Sequence, residues 1–231
     1  MFFLEKLVYD HLKRKGDIFM VGEKTLFILG SSLIAFFLAT AGSSAFNSGD
    51  VQRIKNLKRC PNCDLVNAFM PSEDLSEADL KNTNMAGANL HFSILNKANL
   101  TNADLTGANL SSTSLGDAKL SGATLIGADL SNAKLSEADL TNADLTNAKL
   151  MGAWLTEANL SGANLSGARM NGANLSGANL SGANLSGARM NDARFIGANL
   201  TNAKLTGARL DDAKWIDGMI CKEGSIGECK K

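Results

Sequence analysis

The residues with most chemistry to offer in this 231-residue chain are four cysteines and two histidines. Cys60 and Cys63 form a C-x-x-C; Cys221 and Cys229 lie near the other end. Thiols so spaced bind zinc, exchange disulfides or form lasting cross-links. A four-thiolate zinc site needs all four sulfurs around one ion. The two pairs bracket a long periodic region, and a rod built from it keeps them apart. Disulfides or caps in an oxidising compartment then fit best, with idle or redox thiols as the alternative. The C-x-x-C lacks the strand–helix–strand setting of a redox motif. His11 precedes an apolar segment, and His91 follows a repeat leucine and is expected to face out. A His-based triad needs an adjacent nucleophile and an orienting carboxylate. Ser93 with Asp74 or Asp104 is the nearest grouping, but such residues recur all along the chain. No phosphate loop, dinucleotide fingerprint or calcium loop is present. The expectation is no catalytic residue, no cofactor and no metal, so not an enzyme.

The elements that carry these residues are set by a period of five. Each of the 31 positions spaced by five from 65 to 215 is large and apolar, mostly Leu. Two residues before each stands a small residue, Ala in 26 of the 31 cases; of the exceptions Cys63, Glu73, Thr83, Ser93 and Thr113, only Glu73 is large. On an α-helix a period of five spirals around the axis and leaves no apolar face. In a straight strand an odd period sends successive leucines to opposite faces. The chain must bend once per repeat, with the small residue and the Leu, two apart, pointing inward together. Cys63 falls in this inward small-residue register, which suits an inert thiol or a structural bridge. Residues 161–170 and 181–190 are identical, SGANLSGARM, a repetition at 20 residues or four pentapeptides. Four near-right-angle bends close one coil, so residues 20 apart should stack. The 31 repeats then give about eight coils, or about 37 Å of rod at about 4.8 Å per coil.

The pattern Ala88-Asn89-Leu90, Ala103-Asp104-Leu105 and Ala178-Asn179-Leu180 resembles the pentapeptide-repeat family. Membership implies an all-β fold, a right-handed quadrilateral β-helix with Leu and Ala inside. The segment from Arg59 through Cys60, Pro61, Asn62, Cys63 and Asp64 to Leu65 resembles the start of exported pentapeptide-repeat proteins of cyanobacteria. That likeness implies the thylakoid lumen or the periplasm.

The expected organisation is an N-terminal signal peptide or membrane anchor over 1–46, a helical cap and lead-in over 47–63, the β-helix over 64–215 and a C-terminal cap over 216–231. Residues 25–42 carry no charge, follow a lysine-bearing stretch and precede small residues ending at Ala41 and Ala45. This is the layout of a secretory signal, with an uncleaved transmembrane helix through 25–42 as the alternative. In the cap, Asp50 is the expected helix N-cap, with Val51, Ile54 and Leu57 on one flank. Glu73 suggests a first coil that is irregular or open to water. Past Trp215 the period breaks, and a Cys221–Cys229 bond would close a small loop.

Charge separates the two ends of the rod. Lys plus Arg and Asp plus Glu each total 23, so nothing global argues for nucleic acid. Residues 64–160 hold 12 acidic and 5 basic side chains; residues 161–215 hold 3 and 6. At 20 residues per coil, Lys149, Arg169, Arg189 and Arg209 form one outward column, a candidate track for an anion or an acidic partner. Duplication of a coil is the other explanation, since it copies Arg169 into Arg189. The residues two before each, Asn147, Gly167, Gly187 and Gly207, offer no carboxylate, and Asp192 and Asp212 fall on the next side. The resulting reading is an exported or membrane-anchored scaffold for an unidentified protein partner. The alternative is a DNA-mimicking protector of a topoisomerase, which needs an acidic rod in the cytoplasm.

Overall fold

The computed structural model describes residues 18–21, 25–28 and 47–231. Two units are compact in themselves, Met1–Ala45 and Phe46–Lys231. In the first, β1 (Ile18–Val21) and β2 (Thr25–Ile28) pair antiparallel, Ile18 opposite Ile28 and Val21 opposite Thr25. The first four residues of the uncharged 25–42 segment are thus strand, in keeping with their β-branched and aromatic content. The rest of that segment, and with it the expected signal or transmembrane helix, lies outside the described residues. Among the described residues no helix is long and apolar enough to cross a membrane.

The second unit is a four-sided coil of 20 residues per turn. From Arg59 to Arg194 each outward residue at the five-residue spacing pairs in parallel with the one 20 further on, as in Asp64↔Asn84, Phe69↔Asn89, Asp74↔Ile94 and Asp79↔Asn99. The ladder begins at Arg59 rather than at residue 64. Cys60 therefore occupies a leucine position and Cys63 an alanine position of the first repeat, both buried.

Each side is two hydrogen-bonded residues long, and the corner is a β-turn. In a typical repeat Leu100 donates up to Lys119 O (2.7 Å), Asn99 donates down to Ala78 O (2.8 Å) and Ala103 closes the corner onto Leu100 O (3.0 Å). The third residue of the turn is left-handed, as type II geometry demands. Gly fits there because it lacks a Cβ: at Gly122 (φ +67°) an added Cβ would stand 2.4 Å from Asn102 Oδ1. Asn is the common substitute, and Phe92 (φ 61°) is the bulkiest side chain held in this conformation. Inward Leu and Ala are almost all fully buried, so a continuous apolar column fills the rod. The inward hydroxyls are satisfied locally: Thr83 Oγ1 donates to Cys60 O (2.8 Å) and Thr113 Oγ1 to Leu110 O (2.6 Å).

Helix α1 (Ser48–Leu57) covers the lower end with Val51 and Ile54 buried. Its N-cap is Asn47, whose side chain accepts from Gly49 N at 3.0 Å, not Asp50 as the sequence suggested. Asp50 lies in the first turn, and its carboxylate accepts the Asp64 amide at 3.0 Å. It replaces the carbonyl that a preceding coil would have offered. Lys58, left-handed at φ 48°, ends the helix; Leu57, expected on the buried flank, is exposed. Glu73 makes the first coil irregular, as the sequence allowed, since its amide does not close the corner onto Met70 O. Ser93 Oγ bridges Glu73 N (3.1 Å) and Met70 O (2.8 Å), and the Glu73 carboxylate pairs with Lys55 of α1 at 2.6 Å.

At the other end the tail turns back, pairing antiparallel as Lys214↔Ile220 and Arg209↔Ile226. It covers two sides of the last coil. On the other two sides Leu200 and Leu205 are only partly buried.

Candidate functional site

The four sides display four straight columns of outward residues, because the ladder fixes every side chain directly above the one 20 earlier. One column reads Asn159, Asn179, Asn199, another Asn164, Asn184, Lys204. Their amides bond along the axis: Asn179 Nδ2 to Asn159 Oδ1 (3.3 Å), Asn199 Nδ2 to Asn179 Oδ1 (3.2 Å), Asn184 Nδ2 to Asn164 Oδ1 (3.2 Å). Many of these Asn and Asp oxygens also accept the amide two residues on, as Asp104 does from Thr106 (2.9 Å). Asn and Asp on this surface are thus largely structural, joining coils and bracing corners.

The cationic column differs. Lys149, Arg169, Arg189 and Arg209 are successive ladder partners, all exposed. The expectation that no carboxylate on the same side meets the column needs correction at its lower end. Asp129, one coil below Lys149, pairs with it at 3.3 Å, and Arg209 meets Asp211 at 3.5 Å. The 20-residue register contained the first pairing, because Asp129 stands one full coil before Lys149. Asp192 and Asp212 form no ion pair with the column among the described residues. Arg169 and Arg189, in the middle, also have no ion-pair partner among the described residues.

Asp211 also holds the upper cap. It accepts from Gly224 N (2.7 Å), Ser225 N (3.1 Å) and Asn191 Nδ2 (2.8 Å). Desolvation pushes its carboxyl up, but these bonds and Arg209 outweigh that and hold it below the ordinary carboxylate range. Asp74 is lowered from 3.8 to about 2 by the Ser76 hydroxyl and amide and by Lys58 of the lower cap.

The four cysteines are joined as Cys60–Cys63 and Cys221–Cys229, with Cα separations of 5.4 and 5.0 Å. The first bond lies where α1 meets the first coil, with Arg53 Nη1 4.0 Å from Cys63 Sγ. The second pins the returning tail. The structure does not assemble the histidine grouping: His91 Nδ1 contacts Ser111 O and Oγ, both at 2.8 Å, while Ser93 Oγ is buried on the backbone. His11 lies outside the described residues. Sequence reasoning missed one surface feature, the exposed apolar residues Phe69, Phe92, Ile94 and Trp154. The same 20-residue register would have grouped Phe69, Phe92 and Ile94 around one corner of the lower coils.

Several known proteins share the repeat. The model of the family described as pentapeptide repeats matches in 8 copies between residues 62 and 214. Among solved structures, HetL, a pentapeptide repeat protein involved in heterocyst differentiation regulation from Nostoc sp. strain PCC 7120, is 36% identical, with 70% of this chain and 80% of that one covered and a TM-score of 0.37. A pentapeptide repeat protein from the Arabidopsis thaliana thylakoid lumen is 37% identical over 41% of this chain and 63% of its own, with a TM-score of 0.32. QnrB1, a plasmid-mediated fluoroquinolone resistance protein, is 22% identical over 62% of this chain and 80% of its own, with a TM-score of 0.32. The chain matches no curated protein.

Proposed function

Because the chain belongs to the pentapeptide-repeat family, we propose that it is a non-catalytic interaction rod, exported or membrane-anchored, that works in the thylakoid lumen or the periplasm. The observation that carries this reading is the set of four straight outward columns on a stiff, fully packed coil. Such a surface presents side chains at fixed spacing to a protein partner, and it needs no concave pocket to do so. Two further features support export. Both ends are closed by disulfides, which persist in oxidising compartments. Residues 1–46 carry the charge and hydropathy layout of a signal or anchor.

Protection of a topoisomerase by DNA mimicry requires an acidic rod. The lower coils are acidic, but residues 161–215 carry 6 basic against 3 acidic side chains. Cell fractionation with N-terminal sequencing tests the proposal. Protein in the membrane or in the lumenal or periplasmic fraction, either cut after Ala41 or Ala45 or intact and anchored, is the expected result. A soluble cytoplasmic pool with Met1 intact would sink it and favour topoisomerase protection.

A further inference from the structure

Among the described residues, the middle of the cationic column has no counter-ion. Lys149 is paired by Asp129 one coil below and Arg209 by Asp211 two residues on in its own coil, which leaves Arg169 and Arg189 among the described residues. These two are ladder partners, so their backbones stand about 5 Å apart. The neighbouring corner is open at Gly187 and covered only by the Asn147 amide at Gly167; both glycines are left-handed at φ +68°. Asn147, Lys149, Gly167, Arg169, Gly187 and Arg189 line an open groove of about 470 Å³ along the rod axis.

We propose that this groove binds a short, extended acidic segment of a partner protein, whose carboxylates supply the counter-ions that Arg169 and Arg189 lack. The proposal rests on the reading of the rod as an interaction module and names one of its faces. Charge selects the class of partner, since a guanidinium engages a carboxylate through two parallel hydrogen bonds. Length selects it further. Asp129 and Asp211 stop the column at both ends, so the receptive stretch spans about 15 Å, or about four to five extended residues. A flat anionic bilayer or a long polynucleotide lying along the same side would also meet Asp129 and, below it, Asn109, Asn89 and Phe69, which offer it no cation. A short peptide avoids them. Its binding would also relieve the repulsion between like charges held in register.

The test uses the full-length chain in a neutral detergent and a fluorescein-labelled penta-glutamate peptide, followed by anisotropy at two salt concentrations. Arg169→Asn/Arg189→Asn is compared with Lys119→Asn/Lys134→Asn, which removes the same charge from other faces. The expected result is affinity at least about tenfold weaker in the arginine pair and within about twofold of the parent in the lysine pair, with the difference narrowing as salt rises. The arginine variant should melt at the same temperature or higher. Equal losses in both variants, or no loss in either, would leave the column as a relic of coil duplication and overturn the proposal. Tighter binding to phosphatidylglycerol vesicles or to oligo-dT than to the peptide, abolished in the arginine variant, would also overturn it by reassigning the groove to lipid or nucleic acid. If the arginine variant still captures every partner the parent captures from the lumenal or periplasmic fraction, this groove is refuted while the rod reading stands.

Discussion

Leu145 gives the most direct test of how the rod holds together. It is fully buried, with Leu125 and Leu165 in the same register one coil below and above. Its amide donates to Asn164 O at 2.7 Å, and the adjoining Asp144 amide donates to Ala123 O at 2.9 Å. These bonds hold the coil spacing, so the wall cannot collapse into the space left by Leu145→Ala. The loss should therefore fall in the middle to upper part of the usual range, about 3–5 kcal/mol. Leu145→Lys should do worse, because it forces an ammonium into an apolar column with no partner. The control is Thr124→Lys, an outward residue whose ladder partners are Asp104 and Asp144, and it should stay within about 0.5 kcal/mol of the parent. Urea unfolding followed by far-UV circular dichroism measures the loss, and hydrogen exchange locates it. Coils contact only their neighbours, so exchange should accelerate around residues 125–165 and leave both ends protected. Equal urea midpoints for Leu145→Ala and Thr124→Lys would refute the inward register. Uniform acceleration along the whole chain would refute the nearest-neighbour picture.

The corners offer a paired test of backbone strain: Phe92→Asn should raise stability by about 0.5–1 kcal/mol because Asn tolerates a left-handed φ, whereas Gly122→Ala, with φ +67° and Asn102 Oδ1 in the way, should lower it by about 1–2 kcal/mol. Thermal melts of the two single variants decide this, and shifts of the same sign would contradict the turn assignment. Acid should loosen the caps first. Asp74 has a folded pKa depressed to about 2, so its contribution is intact above about pH 4 and disappears as pH falls through about 2; Asp211 is depressed too and should act in the same direction on residues 222–226. Exchange at pH 5 and pH 2.5 should show the caps opening before coils such as 151–190, and the reverse order would refute the linkage. Reducing Cys221–Cys229 should free the tail to proteolysis after Trp215 while residues 64–200 resist, with a loss on the order of 2–3 kcal/mol for so short a loop.

The repeat was legible because the constraint behind it acts at every fifth residue. A narrow bore admits Leu or Met at one position and Ala at another, and 31 repetitions make that visible without a structure. The stacking of Lys149 on Arg169 followed from the duplicated ten-residue block alone. What escaped is what a repeat does not enforce. Asp129 neutralises Lys149 only if the two side chains lean toward each other, and it lies a whole coil below along the axis, not around the same coil. Asp50 read as an N-cap because a helix start is a local pattern. Its actual contact, the Asp64 amide, is set by how α1 docks on the first coil. Ser93 read as an exception to the alanine rule. It is the repair for Glu73, one coil below, bridging a turn that would otherwise stay open.

The two ends face one physical problem, and a carboxylate serves at each, directly at the bottom and through the tail at the top. A stack of coils leaves unpaired amides where it starts and where it stops, and such edges invite pairing with other chains. At the bottom the Asp50 carboxylate takes the Asp64 amide; at the top the Leu210 and Asp212 amides donate to Ser225 O and Cys221 O of the tail, and the Asp211 carboxylate holds that tail by accepting from Gly224 and Ser225. An acidic side chain suits both places because it accepts several hydrogen bonds and needs none in return. The sides of the rod have no such need, since the ladder already satisfies their backbone. Their side chains are free to vary, and the Asn columns use that freedom to tie coils together. Among the described residues Arg169 and Arg189 make no equivalent bond along the axis, and they repel each other where Asn would bond. That departure from the stabilising choice in two successive coils is what the proposed acidic partner would explain, and what the arginine-to-asparagine pair tests.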